Sequence, residues 1–335
     1  MRLPTAGLVV LCLFHILPFV GRPALIGGDE PHYALVAHSM AVDRDLELEN
    51  NYVAVENGSS AAGSRQAGKR LDRHVAEFGE RTVFTHPLGL PLLVAPLLWV
   101  QDLVAPDAAP DLVLGPFGLI VTFLALLEGL RLLTQWTPDR RVGLLLGLVI
   151  YFGTPLWFYS RTFFTEPYLW SGLVLSVGLL DRDRPMFASL VLGVTLLIKE
   201  TSLLAIGPIL LWAWWRWGVL GFLRLSVFPA LALLLFGLKN LWVYGEWWVT
   251  FLPFQVGSPW WSGLVGLLFD SQHGLIPFAP IAVVALLAWA LPRGSRGRPF
   301  VGASGFAPSS PGSGISSSRL CGSTSVAAPA MVHVF

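Results

Sequence analysis

The sequence predicts an all-α polytopic membrane protein with about eight transmembrane helices, joined by interfacial or re-entrant helices in its first outer loop. Three observations lead there. Of 335 residues, 54% are hydrophobic and 13% charged, against roughly 25% charge in soluble domains. Long apolar runs recur from the N-terminus to residue 291. The basic residues gather in short turns between those runs, with Arg131, Arg140 and Arg141 in one, Arg182 and Arg184 in a second, Arg216 in a third, and Arg293, Arg296 and Arg298 in a fourth. Such turns face the cytoplasm under the positive-inside rule.

The apolar runs are residues 5–25, 88–104, 111–134, 142–158, 167–181, 186–198, 202–218, 222–243 and 274–291. The first, behind Arg2, lacks a small-residue cleavage site and reads as an uncleaved transmembrane helix. Residues 26–86 form one long polar loop, whose segment Pro31 to Val42 sets Tyr33, Val36, Ala37 and Met40 on one helical face, as an interfacial helix would. With Arg2 and Arg131 both inside, only one full crossing can separate the loop from Arg131. The run 88–104, opening "HPLGLPLLVAP", is therefore read as re-entrant or surface-lying. A helix from Pro185 to Trp217 would be about 50 Å long, too long for one crossing, so the chain is expected to turn at "KETS", residues 199–202.

This threading divides the chain into a membrane domain, 1–293, and a Gly/Ser/Pro-rich tail, 294–335, expected to be disordered. The tail reads as a truncated or out-of-frame end, a native flexible tail being the plainer alternative. The loops 26–86, 159–167, 199–201 and 244–273 fall on one outer face. They carry Asp29, Glu30, His32, His86, Arg161, Glu166, Lys199, Glu200, Asp270, Gln272 and His273. An ionisable group costs roughly 2.5–3.5 kcal/mol inside a membrane segment, so convergence on one face suggests a site. A net charge of +1 and the lack of an aromatic-interleaved basic cluster argue against nucleic acid as a partner. Two cysteines, Cys12 and Cys321, make neither a disulfide framework nor a metal quartet.

In chain order, "GDEPHY", "DRDLELENNY", "THPLGLPLLVAP", "SRTFFTEPYLW", "LLIKETSLL" and "GLLFDSQHGLIPFAP" resemble the glycosyltransferase C fold, nearest to the protein O-mannosyltransferase and aminoarabinose transferase superfamily. The resemblance spans residues 1 to 291. It implies a multi-pass enzyme of the cell membrane that moves a sugar from a polyprenyl-phosphate donor to an acceptor hydroxyl on the outer face, with inversion. It also implies that Asp29 of the Asp29–Glu30 pair is the catalytic base, that Glu166 is a second acid, and that Lys199 meets the donor phosphate. The family often has a longer membrane part and a C-terminal outer region, and this chain has neither.

The chemistry needs a carboxylate to take the acceptor's proton and cations to neutralise the departing phosphate. Asp29 and Glu30 suit the first need, since a helix beginning near Pro31 favours their ionised forms. Lys199, Arg161 and His86 suit the second, and His32, Asp270, Gln272 and His273 stand in loops that could hold donor or acceptor. Each has a plainer reading: Asp29 and Glu166 as helix caps, Lys199 as a snorkelling side chain, Arg161 as a headgroup anchor, and His86 and His273 as polar loop residues. No metal-ligand spacing is present, so no tightly bound metal or other cofactor is expected, with room for a loosely held divalent cation beside Asp29. The runs "WAWWRW" and "GEWW" read as interfacial belts, and Trp247, Trp248, Trp260 and Trp261 as alternative sugar-stacking groups. The expected partners are membrane lipid, a polyprenyl-phosphate sugar and an acceptor protein, lipid or glycan. A transporter or lipid flippase, or an inactive truncated fragment, are the competing readings; a transporter usually shows repeated halves, and no repeat is visible.

Overall fold

The computed structural model describes residues 5–20, 28–78, 81–247 and 260–270. The chain is mostly helical. Its helices are α1 (Thr5–Ile16), α2 (Glu30–His38), α3 (Glu49–Glu56), α4 (Gly89–Val104), α5 (Asp111–Trp136), α6 (Arg140–Phe152), α7 (Pro155–Tyr159), α8 (Thr165–Asp181), α9 (Pro185–Ile198), α10 (Leu203–Tyr244) and α11 (Trp260–Phe269). An antiparallel hairpin, β1 (Val75–Phe78) and β2 (Arg81–Phe84), lies in the first polar loop, so the expected all-α fold is corrected at this point. The run 274–291 and the tail 294–335 lie outside the described residues.

Among the described residues, two stretches, Asp111–Trp136 and Glu200–Tyr244, are long and apolar enough to cross a membrane. The second is interrupted. Gly218 has φ 68° and ψ −164°, a conformation open essentially to glycine alone, and it divides α10 into residues 203–217 and 219–244. Both parts pack on α9: Leu192 and Leu196 share one core with Ile206 and Ala213 from the first and Leu225 and Ala232 from the second. The chain turns between α9 and α10 at Glu200–Ser202, where the length argument placed the reversal. Arg216 lies against the rings of Trp212 and Trp217, next to the Gly218 break.

Helix α5 packs between α6 and α8, and α8 in turn packs on α9. At one end of α5 and α8, the buried Glu128 carboxylate accepts from Arg131 (Nη2 2.6 Å) and Arg182 (Nη2 2.5 Å), while Arg131 also reaches Asp181 at 2.8 Å. Two of the expected basic turns are therefore tied together by acids. Helix α1 docks through His15, which is fully buried; its Nε2 donates to the Leu119 carbonyl at 3.0 Å, and its Nδ1 accepts from the Tyr151 hydroxyl at 3.1 Å. An apolar cavity of about 310 Å³, lined by Leu126, Leu130, Trp136, Ile150, Trp170 and Val174, opens between α5, α6 and α8.

Helix α2 forms where expected, but all of its residues from Glu30 to Ala37 are buried. Its non-polar positions Tyr33, Val36 and Ala37 do not form the one submerged face of an interfacial helix. The whole helix is enclosed by α4, the hairpin and the segment after α7. The run 88–104 is one continuous helix with no internal reversal, which corrects the re-entrant alternative; at 16 residues it is about 24 Å long. One face of α4 (Leu90, Val94, Leu98) packs into the α2 core, and the other (Leu93, Val100, Val104) is exposed. Gly89 at its start lies on the backbone of Leu197 and Ile198, where a Cβ would come within 2.2 Å of Leu197, so only glycine lets α4 meet the end of α9 so closely.

Glu128 joins α5 and α8 in an enclosed setting, and its removal leaves Arg131 and Arg182 without their shared acceptor. Glu128→Ala is expected to destabilise the detergent-solubilised protein by about 3 kcal/mol, read as a lower midpoint in denaturant. An unchanged midpoint would show that the network contributes nothing to the fold.

Candidate active site

The hairpin creates the site. In its register Val75 pairs with Phe84 and Phe78 with Arg81, so His74 and Thr85–His86 flank the open base. Both the Thr85 backbone N–H (3.2 Å) and its hydroxyl (3.0 Å) donate to the His74 carbonyl, extending the ladder by one rung. Twelve residues apart in sequence, the two imidazoles meet with His86 Nε2 3.1 Å from His74 Nδ1. The segment before α3 supports β2: the Thr82 N–H donates to both carboxylate oxygens of Glu47 (3.0 and 2.9 Å), and the Leu48 N–H to the Thr82 carbonyl at 3.1 Å.

Asp29 faces this pair. It is the residue preceding α2, but its carboxylate makes no capping hydrogen bond; only its backbone carbonyl receives the His32 and Tyr33 N–H groups. The side chain is 48% exposed, and Oδ1 lies 3.7 Å from His74 Nδ1. Capping is therefore not what this acid does. Glu30, its neighbour, is buried and accepts the backbone N–H of Phe163, fixing α2 to the segment before α8. Glu30, expected beside Asp29 in a catalytic role, is thus engaged with backbone and enclosed, whereas Asp29 is open to solvent.

His32 belongs behind the site rather than on it. It is buried, its ring stacks on His74 at 3.8 Å between centroids, and its Nδ1 bonds the Tyr52 hydroxyl at 2.7 Å. That hydroxyl also accepts the His74 backbone N–H at 3.4 Å. Burial pulls the His32 pKa down to about 3, with His74 and His86 adding to the effect. For His86 burial again acts first, and despite the opposing Asp29 charge the value falls to about 4, with His74, Lys239 and Lys199 contributing. Tyr33, beneath the site, is pushed up by burial and then by Asp29, Glu166 and Glu200.

Lys199 and Glu166 arrive from the end of α9 and the start of α8 and pair at 2.6 Å, both partly exposed. They were expected as a phosphate cation and a second acid; here each is the other's counter-ion. Arg161, expected at the donor phosphate or as a headgroup anchor, is buried with its guanidinium over the Phe19 ring at 4.6 Å. Asp270 is exposed just after α11, Trp247 covers Gly237, and Trp261 is exposed. Gln272, His273, Trp248 and the Trp260 side chain lie outside the described residues.

Three groups escaped the sequence reading. His74 and Tyr52 lacked a visible spacing, although two four-residue strands separated by Gly-Glu, with a histidine beyond each outer end, form a hairpin signature. Lys239 sits inside an apolar run, yet its Nζ donates to the carbonyls of Thr85 (3.0 Å) and His86 (3.3 Å), so α10 secures the hairpin base. One ligand atom from each of Asp29, His74 and His86 lies within 4.8 Å of the others. The absence of a linear metal spacing therefore did not preclude a three-ligand group assembled by the fold.

The depressed histidines set the sign of a pH effect. In the unfolded chain they titrate near 6.5, so below about pH 6.5 the unfolded state binds protons that the folded state refuses. Stability is complete above that pH and is expected to fall as pH drops toward about 4 for His86 and about 3 for His32. Thermal unfolding of chelator-treated protein between pH 7.5 and 4.5 should show this decline, and His86→Gln should flatten it; a pH-independent midpoint would contradict the assignment. No family model, curated protein or solved structure matches the chain.

Proposed function

We propose that the chain is a multi-pass membrane glycosyltransferase that moves a sugar from a polyprenyl-phosphate donor to an acceptor hydroxyl on the outer face of the cell membrane, with inversion. One observation carries the reading: Asp29 is a half-exposed carboxylate, not used for capping, at the base of the hairpin, where Lys199 and Lys239 are close enough to act on His86. Asp29 is the general base for the acceptor. Its carboxylate is open to substrate.

Lys199 and Lys239 supply positive charge for the departing phosphate. Glu166 holds Lys199 in place until the donor phosphate competes for it. Glu30 and His32 act through position, the first by fixing α2 to the Phe163 backbone and the second by supporting the His74 ring. The exposed apolar side chains of α4 and α10 provide a surface for the lipid carrier's chain. The charge distribution favours this reading over a transporter. Glu166 and the Glu128 cluster lie toward opposite ends of α8, whose residues 166 and 181 are about 22 Å apart along the helix, so the charges do not form a midplane pathway.

The test is transfer of radiolabelled sugar from a panel of polyprenyl-phosphate sugars to membranes containing wild type or Asp29→Asn at equal protein levels. Loss of general-base catalysis should reduce transfer by roughly 10²–10⁴-fold in Asp29→Asn. Lys199→Ala should weaken donor use more than acceptor use. Full transfer by Asp29→Asn, or none by wild type from any donor, would overturn the reading.

A further inference from the structure

We propose that Asp29, His74 and His86 form a binding site for one divalent transition-metal ion of the zinc type. The inference deepens the reading of this site as a glycosyltransferase centre and rests on that reading for what the ion would hold, but not for the ion's binding. His74 Nδ1 is 3.1 Å from His86 Nε2 and 3.7 Å from Asp29 Oδ1, and the three ligand atoms lie within 4.8 Å of one another. Tetrahedral zinc with ligands at about 2.0–2.1 Å requires them about 3.3 Å apart, so two of the three separations already bracket that value. Turning the two hydrogen-bonded nitrogens and the partly exposed Asp29 carboxylate toward one ion takes side-chain rotations of all three ligands.

The donor set is selective. Two imidazoles with one carboxylate suit zinc, cobalt and iron and are a poor match for calcium or magnesium, which prefer oxygen ligands. The surroundings also orient the ligands. His74 is stacked on His32, which Tyr52 holds at 2.7 Å, and the His86 carbonyl is held by Lys239 Nζ at 3.3 Å. Stacking restrains the His74 ring, and the bond from Lys239 restrains the backbone that carries His86. Three protein ligands would leave a fourth tetrahedral position for an oxygen of the donor phosphate or water. One Asp29 oxygen can then bind the ion while the other accepts the acceptor's proton.

The full chain, purified in detergent and treated with chelator, is titrated with Co²⁺ alone and followed by its visible absorption. The expected result is one equivalent bound, with the intense bands of four-coordinate cobalt, displaced by Zn²⁺ and unaffected by excess Mg²⁺. His74→Gln and Asp29→Asn should each weaken binding at least tenfold, with unchanged helical circular dichroism and monodisperse elution showing that they fold. Wild type that binds less than half an equivalent of Co²⁺ or Zn²⁺ by elemental analysis would overturn the proposal, as would undiminished binding by folded His74→Gln. This readout does not involve sugar transfer, so a protein that binds cobalt but transfers nothing rejects the glycosyltransferase reading and leaves the metal site standing.

Discussion

The register of a four-residue β-hairpin determines the site. Pairing of Val75 with Phe84 makes Thr85 the partner of His74, and because the chain leaves the ladder after Thr85, His86 comes round to meet the His74 ring at the open base. Isolated two-stranded hairpins are marginal in water. This one is supported from three directions: by Glu47 and Leu48 along β2, by Tyr52 at the His74 backbone, and by Lys239 at the carbonyls of Thr85 and His86. The helices thus serve as a frame for a short strand pair that could not hold its geometry alone.

The two adjacent acids after the first helix show how burial divides roles. Glu30 points inward and fixes α2 to the Phe163 backbone; Asp29 remains half exposed beside the histidines. Adjacent residues on a helix point about 100° apart, so one position can be structural while its neighbour faces the site. Enclosure of α2 on all sides keeps that division rigid, because rotating the helix would expose Leu35 and Val36, both fully buried.

The helices were largely legible because their signals are local. Length alone required a reversal near Lys199, and the chain turns there; Asp29, Glu166 and Lys199 were found from charges in an otherwise apolar sequence. What was missed depends on contacts between distant segments. Lys239 sits in an apolar run, and nothing in that run tells whether it faces lipid or the hairpin. The burial of α2 was invisible for the same reason: an amphipathic pattern shows which side is apolar, not whether protein covers the other. His74 went unnoticed and His86 was not read as a metal ligand because metal motifs are read as short spacings, whereas an antiparallel pair brings together residues separated by the length of two strands.

The most direct test of this account is the hairpin register itself, measured by disulfide formation in membranes with both native cysteines replaced by serine. Glu77 and Thr82 are Cα partners across the hairpin, and partners at this separation can be bridged. Glu77→Cys with Thr82→Cys should cross-link under mild oxidation and reverse on reduction, whereas Glu77→Cys with Val83→Cys should not. Cross-linking in the second pair alone, or in neither, would contradict the placement of His74 beside His86 and with it the site.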